Sequence, residues 1–183
     1  QYGYYSGKNG LVFTRYYGPE EGTTYVIPDH LGNAKITAIG PGAFAYTGYS
    51  SAIIPDSVDS ILYGAFASSS FTSISIPNSV TKIEPYAFSE CKSLTSVIIH
   101  SSVKNIGEAV FYHCESLQSI IIPNSVRAID SFAFSGCTAL SSIIIPNSVT
   151  SIESSTFDGC TSLTDISIPD SVTSIGYGSF YGC

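Results

Sequence analysis

The hydrophobic positions of this chain repeat with a fixed period from about residue 25 onward. Leu94, Val97 and Ile99 form a Leu-x-x-Val-x-Ile segment, and related segments return at residues 117–122, 140–145 and 163–168. The last three positions of each segment alternate inward, outward and inward, which is the period-two pattern of a half-buried β-strand. Each repeat therefore predicts one short strand.

A proline predicts where most of these strands end. Pro123, Pro146 and Pro169 each follow the last isoleucine of a segment directly, and proline has no N–H with which to continue a sheet. The Asn-Ser or Asp-Ser that follows favours a turn. The next piece, such as residues 126–134, is too short for a stable α-helix. It predicts a bent extended stretch and then a 3₁₀ or single helical turn.

Phenylalanine and cysteine return at the same interval and indicate stacked columns. The period is about 23 residues, which is typical of solenoid repeats. The first phenylalanine steps, from Phe44 to Phe88, are each one residue shorter. Units this short cannot bury an apolar face alone, so they must stack into one continuous core. The sequence thus predicts a solenoid of about seven repeats with a buried phenylalanine column. The columns are Phe44, Phe66, Phe88, Phe111, Phe134, Phe157 and Phe180, and Cys91, Cys114, Cys137, Cys160 and Cys183.

The run I-P-x-S-V-x-x-I-x-x-x-A-F-x-x-C-x-S-L-x-x-I resembles the BspA-like leucine-rich repeats of bacterial and protist surface proteins. Residues 76–99 and 122–145 match it nearly throughout, and the resemblance covers about residues 25–183. It implies a mostly β, α/β solenoid with short parallel strands on the concave face. Turns and 3₁₀ or short helical pieces are expected on the convex face. It also implies an extracellular or cell-surface protein that binds host matrix proteins or other cells.

Residues 1–24 break the repeat, and we expect them to form an N-terminal hairpin cap on a solenoid that spans residues 25–183 as one domain. Residues 11–17, the turn-like residues 18–22 and residues 24–27 are typical of a hairpin whose second strand becomes the first repeat. The stretch from Leu31 to Ile39 is five residues longer than that from Val58 to Ile61. Its Gly32-Asn33 pair predicts an extra turn.

Composition limits the classes of partner. Only 11% of the residues are charged and the net charge is −7, which argues against nucleic acid and against a polybasic membrane contact. A hydrophobic fraction of 44% argues against disorder. Apolar runs such as residues 120–122 are far shorter than the roughly 20 residues that span a bilayer.

The cysteines predict packing rather than chemistry. They occupy one position per repeat, and we expect Cys91, Cys114, Cys137 and Cys160 to be reduced, buried thiols that behave as small hydrophobic groups. Repeats about 4.8 Å apart would permit disulfides by distance, but the odd count leaves one thiol unpaired. No Cys-x-x-Cys pair suggests a metal.

Catalytic residues are not evident either. The histidines are His30, His100 and His113, and we expect surface imidazoles. A nucleophilic pair of His113 with Cys114 is conceivable, but the other four thiols of the column have no neighbouring histidine. Paired carboxylates and a glycine-rich phosphate loop are also missing from the sequence. We predict no enzyme activity, no cofactor and no metal.

The informative surface is the outward side of the strands. One outward residue per strand lies between two inward ones, and three consecutive repeats place Ile98, Ile121 and Ile144 there, about 4.8 Å apart. Isoleucine suits a strand even when it is exposed, which is one interpretation. The other is a partner-binding stripe, because contiguous exposed apolar area usually marks a contact. The candidate binding residues are Ile98, Ile121 and Ile144, the neighbouring Ser96, Ser119 and Ser142, and His100, which replaces a proline at the end of its strand.

These observations favour a non-catalytic module for protein binding or adhesion, with a protein or a glycan as ligand. The alternative is a structural spacer or a self-associating stalk. The strand at residues 166–168 is followed only by its return segment, so we expect an open edge with Leu163, Ile175 and Phe180 partly uncovered. Further repeats in a longer protein or a second molecule would cover such an edge.

Overall fold

The computed structural model describes residues 2–16 and 24–183. Over these residues the chain is a β-solenoid of about seven repeats, built from short strands and turns. The strands are β1 (Tyr2–Ser6), β2 (Leu11–Tyr16), β3 (Thr24–Val26), β4 (His30–Leu31), β5 (Ala34–Ile39), β6 (Ser51–Ile53), β7 (Ser60–Ile61), β8 (Ser73–Ile76), β9 (Lys82–Ile83), β10 (Ser96–Ile99), β11 (Asn105–Ile106), β12 (Ser119–Ile121), β13 (Ala128–Ile129), β14 (Ser142–Ile144), β15 (Ser151–Ile152), β16 (Asp165–Ser167) and β17 (Ser174–Ile175).

One parallel sheet takes a strand from every repeat. Its seven strands lie in the order β16-β14-β12-β10-β8-β6-β3. Equivalent residues of neighbouring repeats pair directly, so that Val97 lies opposite Ile120 and Ile120 lies opposite Ile143. The strand positions and the register predicted from the repeat are therefore confirmed.

Shorter strands form a second layer, which is interrupted. The order β1-β2-β5-β7-β9 ends at β9, with β4 paired to β5, and a separate sheet runs β11-β13-β15-β17. The interruption coincides with the change in repeat length, because the step from Phe66 to Phe88 is one residue shorter than the step from Phe88 to Phe111. The longer corner at residues 91–94 first occurs between β9 and β11.

The core is a stack of phenylalanine rings. From Phe44 to Phe180 successive ring centroids are 5.1–5.6 Å apart and the rings are 3–17° from parallel. This confirms the predicted column. Phe13 of β2 adds one more ring, 5.2 Å from Phe44 and only 5° from parallel. The sequence alone does not reveal Phe13 as a member, since it lies outside the repeat.

The convex side is made of turns, and the expected 3₁₀ or short helical pieces do not occur in the described part of the chain. Alternate N–H groups bond in two directions: Ala43 donates to Gly40 within its repeat, whereas Phe44 donates to Ala65 of the next repeat. A 3₁₀ helix would direct every N–H along its own chain. Here half of them hold the repeats together, so the turns cannot become helical.

These turns require a left-handed backbone twice per repeat, two positions before and two positions after the stacked phenylalanine. Glycine fills some of these positions, such as Gly42 and Gly64, but bulky residues such as Phe132 (φ 59°) and Tyr86 (φ 60°) fill others. A left-handed conformation costs a residue with a side chain roughly 1–2 kcal/mol. The repeats therefore contain local strain that neighbouring repeats stabilise through hydrogen bonds.

The N-terminal hairpin differs from the expectation. Strands β1 and β2 form it as an antiparallel pair, and β2 also pairs in parallel with β5. Strand β3 instead pairs with β6 in the seven-stranded sheet, so the predicted pairing of residues 11–17 with 24–27 is wrong. The physical reason is Phe13, whose ring extends the stack only if β2 lies in the layer of β5.

The predicted turn at Gly32-Asn33 is confirmed. It joins β4 to β5 as a small hairpin in which Gly32 has a φ of 58°, a conformation that glycine adopts without steric cost. The turn predicted for residues 18–22 lies outside the described residues. The domain boundary at residue 24 stays a prediction.

The last repeat is less well covered than the others. Ile175 is 52% exposed and Phe180 is half-buried, as expected for an open edge. Leu163 is buried at 8%, contrary to the expectation, although Leu140 one repeat earlier is at 0%. Apolar exposure in the last repeat is thus concentrated on the return segment after β16.

We predict that Phe134→Ala destabilises the protein by about 3–5 kcal/mol, because it removes a fully buried ring from the middle of the stack. Equilibrium unfolding in urea measures the change. The matched control is Phe132→Ala, two positions away, where the ring is 39% exposed. We expect that control to change stability by about 1 kcal/mol or less. Equal effects of the two substitutions would contradict the stacked core.

We also predict that Ser155→Gly stabilises the protein by about 1 kcal/mol, since Ser155 has a φ of 53° and glycine relieves the left-handed strain. The control is Ser154→Gly, at a neighbouring serine in an ordinary backbone conformation, where glycine should be neutral or destabilising. Thermal unfolding of both variants against wild type measures the difference. A loss of stability in Ser155→Gly would show that this backbone conformation is not strained.

Candidate functional site

Three isoleucines form an exposed row on the outward face of the seven-stranded sheet. Ile98, Ile121 and Ile144 lie opposite one another on β10, β12 and β14, and they are 58%, 81% and 78% exposed. Their inward neighbours, such as Ile120 and Ile143, are buried. The outward direction predicted from the sequence is confirmed. We name Ile98, Ile121 and Ile144 the isoleucine stripe.

Further apolar residues continue the row beyond the stripe. Ile53 on β6 is exposed and lies opposite Ser75 of β8, which separates it from Ile98. Val26 on β3 is exposed too and pairs with Ile53. Val26 was not among the outward residues predicted from the sequence, although Ile27-Pro28 marks the end of its strand as Ile54-Pro55 marks that of Ile53.

A row of serine hydroxyls runs beside the stripe. Ser96, Ser119 and Ser142 pair in register and are exposed, as predicted, and Asp165 continues the row on β16. Each serine precedes the isoleucine of its own strand by two positions, so the two rows are about 7 Å apart. The face therefore offers a line of apolar groups next to a line of hydrogen-bonding groups.

The central part of this face carries no formal charge. The outward residues of β10, β12 and β14 are serine and isoleucine. The charged pair of Lys92 and Glu115 lies at the corner before the strands, with 2.9 Å between Nζ and Oε1. The hydrogen bond and charge of Lys92 lower the pKa of Glu115. Charges near the site are thus confined to its border.

The backbone N–H and C=O groups of the strands on this face are already hydrogen-bonded within the sheet. Each of β6, β8, β10, β12 and β14 has a hydrogen-bonded neighbour on both sides. A molecule that lies over the stripe must therefore contact side chains, because the N–H and C=O groups of these strands bond within the sheet. Backbone pairing with a partner strand is left to the edges.

His100 has a structural contact of its own. Its side chain is half-buried, and Nδ1 lies 2.6 Å from the carbonyl oxygen of Ile76 in the preceding repeat. Since a carbonyl only accepts, Nδ1–H is the donor. The imidazole thus bridges two repeats where other repeats have a proline, and its role in binding stays a prediction.

The thiol column is buried, and it also makes hydrogen bonds. Cys91, Cys114, Cys137 and Cys160 are free and buried, whereas Cys183 is free and exposed. Each thiol donates to a phenylalanine carbonyl of the preceding repeat, as Cys114 does to Phe88 at 3.2 Å. The expectation of buried, unpaired thiols at Cys91, Cys114, Cys137 and Cys160 is confirmed. The sequence did not reveal the hydrogen bonds.

Hydroxyl residues take the same place in the earlier repeats. Thr47 and Ser69 also lie three positions after a stacked phenylalanine, and both are buried. Ser69 Oγ lies 3.3 Å from Cys91 Sγ, and Thr47 Oγ1 donates to the carbonyl of Phe44. The position three residues after each stacked phenylalanine therefore requires a small side chain with a hydroxyl or thiol proton that can form a hydrogen bond.

Burial makes the thiols poor nucleophiles. It raises the pKa of Cys91 to about 11 and the pKa of Cys160 to about 12. The reactive form is the thiolate, which is scarce at neutral pH when the pKa is this high. His113, next to Cys114 in sequence, directs its Nδ1 toward Glu115 at 3.7 Å and packs edge-on against Tyr112.

Over residues 2–16 and 24–183 the histidine, cysteine and acidic side chains do not assemble into a group that could hold a metal ion. The same residues include no helix of the length and apolarity needed to cross a bilayer.

A cavity of about 290 Å³ opens where the second layer is interrupted. Lys82 and Glu84 line it on one side, and Lys104 and Glu108 line it on the other. Lys82 Nζ and Glu84 Oε1 are paired there at 2.6 Å. This charged cavity belongs to β9 and β11, which are strands of the second layer and not of the sheet that carries the isoleucine stripe.

The repeat, the parallel sheet and the stacked core together define a leucine-rich repeat protein. A model of the BspA type leucine rich repeat region matches six copies, over residues 37–137 and 59–183. The matched region covers most of the sequence, and the chain belongs to this family. The resemblance of the repeated run is therefore confirmed.

Solved structures agree with this assignment. The leucine rich repeat protein TpLRR of T. pallidum is 32% identical with a TM-score of 0.91, and the alignment covers 100% of this chain and 86% of that protein. A leucine-rich repeat protein from Eubacterium ventriosum shares the fold at 24% identity and a TM-score of 0.85. That alignment covers 98% of this chain but only 49% of the E. ventriosum protein. No curated protein matches the chain.

We predict that Cys183 alone reacts with a thiol reagent in the native protein, because the other four thiols are buried. In denaturant without reductant, all five thiols should react. Mass spectrometry after alkylation counts and locates the modified residues, and Cys183→Ser should abolish native labelling. Fewer than five reactive thiols in denaturant would reveal disulfides and contradict the reduced column.

Proposed function

We propose that this chain is a non-catalytic recognition module that binds a protein through the isoleucine stripe. The observation that carries the proposal is the exposure of Ile121 and Ile144 at about four-fifths of their surface, while the inward isoleucines of the same strands are buried. Isoleucine in a strand gains little from β-propensity that threonine or valine would not also supply. Three such residues in register make a continuous apolar area of the kind that marks an interaction site.

The ligand class that the family resemblance favours is a protein of the host matrix or of a cell surface. A chain with such a ligand would lie outside the cell or on the cell surface. The face supports a protein more than a glycan, because its centre is aliphatic and lacks the aromatic rings that suit contact with sugars. The hydroxyl row would orient a protein partner beside the apolar contact.

A spacer or self-associating stalk is the second candidate. It is favoured by the apolar exposure of the last repeat, where Ile175 is 52% exposed and Phe180 is half-buried. In that case the repeats would supply length, and contacts between copies would involve the return segment after β16. The isoleucine stripe would then have no ligand.

One experiment separates these functions. Wild type and Ile121→Asp are applied to an array of extracellular matrix proteins and glycans, and sedimentation velocity measures association over a wide concentration range. We expect Ile121→Asp to bind at least tenfold more weakly than wild type to the array protein that wild type binds. The substitution places a charge in the centre of the apolar contact. Circular dichroism should show an unchanged fold, because the side chain points to solvent.

The control is Tyr46→Asp, at an 81% exposed aromatic residue in a convex turn. Its backbone is left-handed, which aspartate tolerates. It should bind like wild type. Equal binding by wild type and Ile121→Asp would overturn the stripe as the site. Concentration-dependent association without any array ligand would support the stalk instead.

A further inference from the structure

Three carboxylates from successive repeats line one open pocket at the second layer. Glu108, Asp130 and Glu153 surround this pocket of about 410 Å³ together with Ser131 and Phe132. We name Glu108, Asp130 and Glu153 the carboxylate ladder. We propose that the ladder is a pH-sensitive element, which loosens the pairing of β13 with β15 at neutral pH and tightens it in mild acid. It is separate from the isoleucine stripe, which lies on the seven-stranded sheet.

The repeat itself brings these carboxylates together. Asp130 and Glu153 directly follow β13 and β15, so they occupy equivalent positions of neighbouring repeats. Glu108 lies two positions after β11, because Gly107 fills the equivalent position there. Since β13 and β15 pair in parallel register, the residues that follow them lie side by side. Like charges held at such neighbouring positions disfavour the ionised form of each other.

The same residues supply backbone hydrogen bonds between the repeats. The N–H of Asp130 and the N–H of Gly176 donate to carbonyl groups of the preceding repeat at 2.9 and 2.8 Å. The corresponding bond from Glu153 is longer, at 3.3 Å. Glu153 follows the carboxylate of Asp130 in this column, whereas Asp130 follows Gly107 and Gly176 has no side chain. The longest of the three bonds thus lies where two carboxylates are neighbours.

Basic groups near the ladder do not pair with Asp130. Lys82 and Lys104 line the neighbouring cavity of about 290 Å³, which Asp130 also borders. Lys82 is paired with Glu84 at 2.6 Å. Among the described residues, the carboxylate of Asp130 has neither an ion-pair partner nor a hydrogen-bond donor. The half-buried charge therefore has no direct compensation.

The following repeats provide no counter-charge either. Residues 128–183 contain no lysine, arginine or histidine, although they contain five acidic residues. Arg127, which precedes β13, is absent from the lining of both pockets. The ladder thus lies at the start of a stretch in which every charged side chain is negative.

This environment sets the direction of the pH dependence. Burial raises the pKa of Asp130, and the negative charges of Glu153 and Glu108 raise it further. In the unfolded chain the carboxyl has its ordinary pKa of roughly 3.9, so the folded chain binds this proton more tightly. Protonation of Asp130 therefore stabilises the fold fully below the ordinary pKa. That stabilisation is lost as the pH rises through the raised pKa of the folded chain.

Other carboxyls contribute to the pH dependence with the opposite sign. The hydrogen bond and charge of Lys92 lower the pKa of Glu115, and the stabilisation that follows from a lowered pKa is lost in acid. The overall stability curve therefore mixes both effects. The difference between wild type and a variant of Asp130 isolates the ladder.

The test compares the thermal unfolding of full-length wild type and Asp130→Asn between about pH 3.5 and pH 7.5, which spans the titration of a carboxyl with a raised pKa. We expect Asp130→Asn to unfold about 2–4 °C above wild type at the upper pH, because it removes the uncompensated charge. The difference should fall below about 1 °C at the lower pH, where wild type is protonated. The control is Asp165→Asn, which removes an exposed charge from the other sheet and should show no such pH-dependent gain.

Two further measurements report on the ladder directly. Carbon-13 NMR of the Asp130 carboxyl in wild type should give a titration midpoint above the ordinary value, and Glu153→Gln should lower that midpoint. Hydrogen exchange over residues 128–154, corrected for the intrinsic effect of pH, should be at least threefold slower at about pH 5 than at about pH 7 in wild type. Asp130→Asn should remove that difference.

The wild-type titration decides the proposal even if a variant fails to fold. A midpoint at or below the ordinary value for aspartate would overturn it. Equal corrected exchange at both pH values would overturn it as well. So would a gain in Asp130→Asn that persists at the lower pH or that Asp165→Asn reproduces.

Discussion

The separation between neighbouring repeats determines every other dimension of this molecule. Backbone hydrogen bonds hold the strands of the seven-stranded sheet about 4.8 Å apart, and the convex turns add bonds in the same direction, such as that from Phe44 to Ala65. One phenylalanine per repeat lies inside this framework, so the rings form a regular stack with centroids 5.1–5.6 Å apart. The same separation places the thiols, the serine row and the isoleucine stripe.

The regular part of the fold could be predicted from the sequence because each residue recurs in an equivalent environment. The spacing of Phe111 and Phe134 locates the stack, and the alternation over residues 120–122 gives the buried and exposed sides. The convex turns could not be predicted in the same way. Residues as different as Gly42 and Phe132 adopt the left-handed conformation there, so residue type carries no signal.

The N-terminal end of the repeat pattern was also harder to predict, because its residues depart from the repeat motif. Phe13 joins the core from a strand with no repeat motif, and its contact with Phe44 decides which layer β2 enters. Val26 lies in the row of the stripe although its repeat lacks the usual leucine. For the candidate site, sequence predicted the direction of each side chain. The exposed area and the uncharged surroundings needed the three-dimensional arrangement.

The interruption between β9 and β11 divides the solenoid into two blocks that share one sheet and one aromatic stack. The seven-stranded sheet is continuous across this point, and the convex turns bond across it too, as Phe88 does to Val110. Only the pairing of the short second-layer strands stops where the repeat lengthens by one residue. The sheet, the turns and the rings thus join the two blocks, and the Val26–Ile53 end of the face keeps a fixed register with the isoleucine stripe.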